Sequence, residues 1–179
     1  AVLKSRLAVP VRGFEGNTLF TQEDLPFARD ELPAHFTPFR KAVEKLLIPS
    51  PLAPPASLPP PPAARFHRVP EAAVKPHTAL PIRGGSENGE RRLRQFVFEE
   101  QLILNYKASR NCLDGLDGSS TLSPWLANGG ISPRQVAHAV QQFEASRERT
   151  ESTWWLLFEL LWREFFHWRA LHDDVSLFR

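Results

Sequence analysis

Glu159, Trp162 and Arg163 stand three and four residues apart in the stretch STWWLLFELLWREFFHW, residues 152–168. On a helix these spacings put the three side chains on one face, with Trp155 one turn before and Phe166 one turn after. The neighbours round the circumference are Leu156, Leu157, Phe158, Leu160, Leu161 and Phe165, so the helix is apolar nearly all the way round. Such a helix belongs inside a domain, where an unpaired carboxylate or guanidinium loses hydration worth several kcal/mol.

Two readings of those charges stay open from the residues alone. Glu159 and Arg163 can satisfy each other as an i, i+4 ion pair, which contributes only about 0.2–0.5 kcal/mol on an exposed helix. Alternatively the face lines a cavity that holds a polar ligand. Arg163 then meets an anionic or carbonyl-rich group, Trp162 stacks on something flat, and Glu159 accepts hydrogen bonds from a polar edge. Glu164 is turned about 100° away and is expected either to reach the surface or to cap a neighbouring segment.

A second constellation lies in NYKASRNCLDGLDGSSTLSPWLANGGISPRQ, residues 105–135. Its hydroxyls are Ser119, Ser120, Thr121 and Ser123, preceded by Gly115 and Gly118. Glycine permits close backbone approach, and hydroxyls beside backbone amides suit phosphate oxygens. The competing reading is that these side chains cap the short SPWL turn, as loop serines commonly do. No GxGxxG follows a strand and no GxxxxGKS occurs, so neither a Rossmann nor a P-loop site is indicated.

These stretches need elements to hold them. The chain has 179 residues, enough for one domain with a core, and a formal charge of +2 that neither demands nor excludes a nucleic-acid partner. One cysteine, Cys112, makes no disulfide framework, and the six histidines show no metal-ligand spacing, so no metal is expected. The apolar run Trp154–Phe158 is too short to span a bilayer, and no signal peptide is evident. The absence of an initiating Met is expected of a piece of something longer.

Fifteen of the 17 prolines precede Ile82, so the front of the chain is expected to be extended and looped. Thr37 and Pro38 read as an N-cap followed by proline at the first helical position, opening FRKAVEKLLI with Phe39, Val43, Leu46 and Leu47 on one face. That helix should stop at Pro49. PSPLAPPASLPPPP, residues 49–62, must be polyproline-like: a stiff surface linker, or a ligand for a proline-reading module. IRGGSENGE supplies a helix entry. From Glu90 a 3.6-residue period predicts a helix through Leu93, Phe96, Val97 and Leu102–Leu104, ending near Tyr106–Arg110. Ser132-Pro133 starts another, with Val136, Ala137, Val140 and Phe143 as its stripe and SRERTE as its end. A third runs from near Ser152 to about Leu171. No strand is indicated, and the fold class is mainly α.

YKASRN, SSTLSPWLANGGISPRQ and STWWLLFELLWREFF, in this order and spacing, resemble the flavin-binding domain of the photolyase/cryptochrome family, most of all the DASH cryptochromes. GNTLFTQEDLPF and LPAHFTPFRKAVE resemble the connecting region that precedes that domain. The resemblance implies a connector with a short helix over 1–48, a proline-rich linker over 49–81 and the first part of a helical FAD-binding domain over 82–179. It implies FAD in a folded-back conformation. Tyr106 would line the flavin site, and Ser119, Ser120, Leu122 and Ser123 would hold the pyrophosphate and ribityl region. Arg163 would lie near the flavin, while Glu159 and Trp162 would face damaged pyrimidines.

For the whole protein the resemblance implies light-driven splitting of cyclobutane pyrimidine dimers, in single-stranded DNA for DASH members. It also implies a folate antenna as a possible second pigment and an intracellular setting, cytoplasmic in a bacterium or organellar in a eukaryote. A blue-light receptor without repair is the alternative, as is a truncated chain that carries no flavin. The chain corresponds to a segment, and by itself is not expected to hold FAD stably. Three positions depart from the family pattern. Gly118 stands where Tyr is usual, Thr121 where Lys or another basic residue is usual, and Cys112 in place of a common glycine.

Overall fold

Phe36–Val43 forms α1, two residues earlier than Pro38 predicts. His35, not Thr37, is the N-cap residue, and Pro38 lies inside the first turn, where a missing N–H costs nothing. The helix ends at Val43 with Glu44 as C-cap, short of the stop at Pro49 that the sequence predicts. Phe36, Phe39 and Val43 are buried, whereas Leu47, expected on the same face, is 89% exposed because the helix has ended before reaching it. The computed structural model describes residues 6, 8–11, 16–60, 82–112, 115–174 and 176. Residues 47–60 contain neither helix nor strand, in keeping with their prolines. The rest of the expected linker, 61–81, lies outside the described residues.

Helix α2, Ser86–Arg94, starts after Gly85, whose φ of +93° is open to glycine. The single helix expected from Glu90 to Tyr106–Arg110 is interrupted. A π-helical turn, Gln95–Glu99, follows α2; Gln101 then takes a left-handed φ of 52°, and a 3-10 turn, Leu102–Asn105, leads into α3, Tyr106–Ser109. The stripe itself survives the break, since Leu93, Phe96, Val97, Ile103 and Tyr106 are buried.

Helix α4, Ser123–Asn128, closes on Gly129 at φ 71°. Helix α5, Pro133–Ser146, opens as predicted: Ser132 Oγ accepts the Gln135 amide at 3.1 Å, and Gln135 Oε1 accepts the Ser132 amide at 2.7 Å. Its stripe of Val136, Ala137, Val140 and Phe143 is buried. Helix α6, Glu151–Asp173, is capped by Thr150. Ser152 on α6 explains the earlier break: its hydroxyl accepts the Lys107 amide at 2.9 Å and donates to the Ile103 carbonyl at 2.8 Å. The backbone there bonds to α6 instead of continuing its own helix.

Helix α6 packs against α1, α3 and α5. The described residues contain no strand, so the fold is mainly α. No helix among them is long and apolar enough to cross a membrane. Residues 17–20 lie across α6. Glu164 is fully buried and accepts the amides of Leu19 at 2.8 Å and Phe20 at 3.2 Å, together with the indole N–H of Trp168 at 2.8 Å. It therefore caps a neighbouring segment, one of the two outcomes expected for it. Arg134 Nε adds a bond to the Leu19 carbonyl at 2.8 Å.

Candidate cofactor-binding face

The one-turn helix α3 sets Tyr106 and Arg110 four residues apart, so both turn toward α6. Arg110 Nη1 lies 2.8 Å from Glu159, which also accepts the indole N–H of Trp155 at 3.1 Å. The Trp155 ring lies under both Arg110, at 5.3 Å, and Lys107, at 4.9 Å. Tyr106 is buried edge-on to Phe96 at 5.7 Å, with the Ser120 side chain nearby. Burial pushes the Tyr106 phenol above its ordinary range, and the Glu159 charge adds to the shift. Helix α6 and the hydroxyl-rich loop thus meet at Tyr106.

Glu159 and Arg163 do not pair with each other; each has found a distant partner. Arg163 donates to the carbonyls of Asn17 at 2.7 Å and Leu126 at 3.5 Å, and burial lowers its pKa. Trp162 packs among aromatic side chains. Its ring stacks on Phe36 at 3.6 Å and 15°, with Phe166 nearly parallel at 5.6 Å. It does lie on something flat, a side chain of its own chain.

In the loop, Ser119, Ser120 and Thr121 are half-buried, Leu122 is buried and Ser123 is exposed. The hydroxyls do not cap α4, whose N-cap is Leu122 with no side-chain bond. Thr121 has φ 54°, an outlier for a β-branched residue, and Leu122 follows in the right-handed region at φ −79°, ψ −13°. Such an alternation of hand turns successive N–H groups into a concavity suited to anions.

Two residues essential to this arrangement carried little signal. Arg92 holds the loop from behind, yet in RRLR it looks like Arg91 and Arg94. Arg110 sits inside YKASRN, four positions after Tyr106, and that spacing was its signal. Among the described residues, three buried polar atoms lack partners: Arg110 Nε beside Glu159, and Asn17 Oδ1 and Thr18 Oγ1 beside Arg163. A cavity of about 540 Å³ opens on the Arg92 side, lined by Arg83, Asn88, Arg91 and Trp125 among others. The described residues contain no cluster of metal-ligating side chains.

The structure also joins two of the departures from the family pattern. A Cβ on Gly118 would lie 2.8 Å from Cys112 Cβ and 3.2 Å from the Ser109 carbonyl. A side chain at 112 and one at 118 compete for the same space.

No family model matches the chain. Against curated proteins, it is 41% identical over 181 residues to cryptochrome DASH of Gloeobacter violaceus, covering 96% of this chain and 36% of that protein. The chain belongs to the DASH cryptochrome family. Cryptochrome DASH of Xenopus laevis is 38% identical over 185 residues, covering 97% and 35%. The crystal structure of a Synechocystis sp. cryptochrome superposes with a TM-score of 0.73 at 36% identity, covering 93% of this chain and 36% of that one. The chain thus spans about a third of the length of the DASH cryptochromes it matches.

Proposed function

We propose that the chain supplies one wall of an FAD site in a DASH-type cryptochrome, and that the whole protein uses light to split cyclobutane pyrimidine dimers in single-stranded DNA. The observation that carries the reading is the junction of Glu159, Arg110, Tyr106 and Ser120, with the buried Arg110 Nε left without a partner. An unpartnered buried N–H is costly unless something accepts from it. The donor set fits FAD: an anion-suited turn at Thr121–Leu122, hydroxyls on Ser119, Ser120 and Ser123, and an aromatic wall at Tyr106. In this reading 1–48 is the connector, 49–81 the linker and 82–179 part of the flavin domain.

Bound FAD would supply the light-driven electron that opens the dimer. The chain's own residues position and screen. Ser119, Ser120, Leu122 and Ser123 hold the phosphate and ribityl region. Tyr106, a phenol already neutral at about pH 7 and pushed further from ionisation by burial, offers a hydroxyl without a charge. Arg163 keeps residue 17 against α6 and adds positive potential near the anion. Glu159, held by Arg110 and Trp155, presents its carboxylate to a pyrimidine edge, and Trp162 offers stacking to a dimer flipped out of, or presented in, a single strand. An intracellular setting belongs to the same reading; the relative from Arabidopsis thaliana is named chloroplastic/mitochondrial.

Titration with FAD of the whole protein to which this chain contributes one wall, followed by illumination with dimer-containing single-stranded DNA, tests the proposal. Flavin uptake and dimer loss are expected, and Glu159→Ala with Trp162→Ala should abolish repair while retaining flavin. A protein that takes up no flavin would sink the reading. One observation favours a receptor without repair: the Trp162 face is already stacked on Phe36. Flavin uptake without dimer loss would select that alternative.

A further inference from the structure

Arg92 contacts the hydroxyl-rich loop more extensively than any of its own serines accounts for. Its Nη2 donates to the carbonyls of Leu116 at 2.8 Å and Ser119 at 3.1 Å, and its Nε to the carbonyl of Ser120 at 3.1 Å. Its Nη1 lies 3.4 Å from the Asp117 carboxylate. The guanidinium rests 5.6 Å over the fully buried ring of Phe96. The Arg92 side chain is only 10% exposed, against 68% for Asp117, so the carbonyls, not the ion pair, are its principal partners. Its neighbours do otherwise: Arg91 is exposed, and Arg94 pairs with Glu99 at 3.6 Å.

We infer that Arg92 is the positioning residue of the cofactor loop, gripping its carbonyls from behind so that its N–H groups turn to the opposite side. The inference rests on the FAD reading for what those N–H groups meet. Its geometry follows from the peptide unit. In a trans peptide the C=O and N–H point in opposite directions, and no cis peptide is present among the described residues. With the Ser119 and Ser120 carbonyls drawn to Arg92, the N–H groups of Ser120 and Thr121 face away from it. The left-handed Thr121 and right-handed Leu122 follow directly on those two amides. A β-branched residue at φ 54° persists only where its surroundings hold it, and charge-assisted bonds to the carbonyls just before it do so. The planar fork of arginine reaches three carbonyls at once; a lysine ammonium does not.

Amide hydrogen exchange on Arg92→Ala and Arg92→Lys, without FAD, reads the grip directly. Exchange over 116–122 should rise roughly tenfold or more in Arg92→Ala and nearly as much in Arg92→Lys, while the α5 amides stay unchanged. In the whole protein, with FAD added, the dissociation constant should rise roughly tenfold, and the fine structure of the bound-flavin absorbance band should blur. A purely structural role would lower the melting temperature while leaving affinity and band shape of the folded protein as in the wild type. Unchanged exchange over 116–122 in either folded variant overturns the inference, and so does unchanged flavin affinity in a wild type that binds. Should the wild type take up no FAD, the FAD reading fails, and the exchange comparison alone decides whether Arg92 shapes the loop. If Arg92→Ala does not fold, Arg92→Lys carries both measurements, with the same outcomes for and against.

Discussion

Glu164 Oε2 accepts the backbone N–H of Leu19 at 2.8 Å, across 145 positions of sequence. The contact fastens residues 17–20 to the middle of α6, and the adjacent Arg163–Asn17 bond repeats the attachment one residue along. Glu164→Ala leaves the amides of Leu19 and Phe20 and the Trp168 indole without their acceptor. Loss of about 2–4 kcal/mol of stability is expected, read as a fall in the urea midpoint at unchanged slope.

The same carboxylate gives stability an unusual slope with pH. Burial raises the Glu164 pKa above its ordinary 4.5, although three N–H donors pull the other way. Between 4.5 and the raised value, the folded form binds more protons than the unfolded form. Stability from this group is therefore complete below 4.5 and is lost as pH rises through the folded pKa. Wild type should gain on Glu164→Gln as pH is lowered from about 7 toward 4.5. A gap that widened with rising pH would mean that the donors outweigh burial. Asp24, held below 3.8 by the Thr21 amide and hydroxyl, acts in the opposite sense: its contribution is present above 3.8 and is lost as pH falls through its folded pKa.

Gly118 and Cys112 should behave as a coupled pair. Gly118→Ala alone is expected to cost about 1–3 kcal/mol through overpacking. Combined with Cys112→Gly, most of that cost should return, giving a coupling of about 1 kcal/mol in a double-mutant cycle. Strict additivity of the two substitutions in denaturation would refute the competition for space.

Tyr106 is the single tyrosine of the chain, so phenolate absorbance reports on it alone. In the folded protein it should ionise above its ordinary value of 10.0. Glu159→Gln removes one of the two causes, and the titration midpoint should move down while remaining raised by burial. An unmoved midpoint would place Glu159 too far from the phenol to matter.

The sequence was most legible where a helix announces itself locally. Ser132-Pro133 with Gln135 three residues after the cap carried the start of α5, and the stripe to Phe143 carried its buried face. The same 3.6 period read straight through Gln101, because nothing in that residue's type demands a left-handed turn; Ser152, 51 positions later, supplies the bonds that stabilise the break. Thr37-Pro38 predicts a start, though Pro38 is equally at home as the third residue of α1, inside its first turn. In the site, Glu159, Tyr106 and Ser120 were legible as types in their motifs. The Arg110 partner of Glu159 and the Arg92 grip were not, since each depends on which exposed-looking arginine of several the fold happens to bury.

The tie between residue 19 and residue 164 has a consequence for how the chain is made. Residues 17–20 leave the ribosome some 145 residues ahead of the carboxylate and guanidinium that pin them. Until then Leu19 and Phe20, both destined for the interior, lack their partners on α6. Synthesis must hold them harmless over that interval, so this stretch is where a nascent chain would be most dependent on a chaperone and most exposed to misassembly.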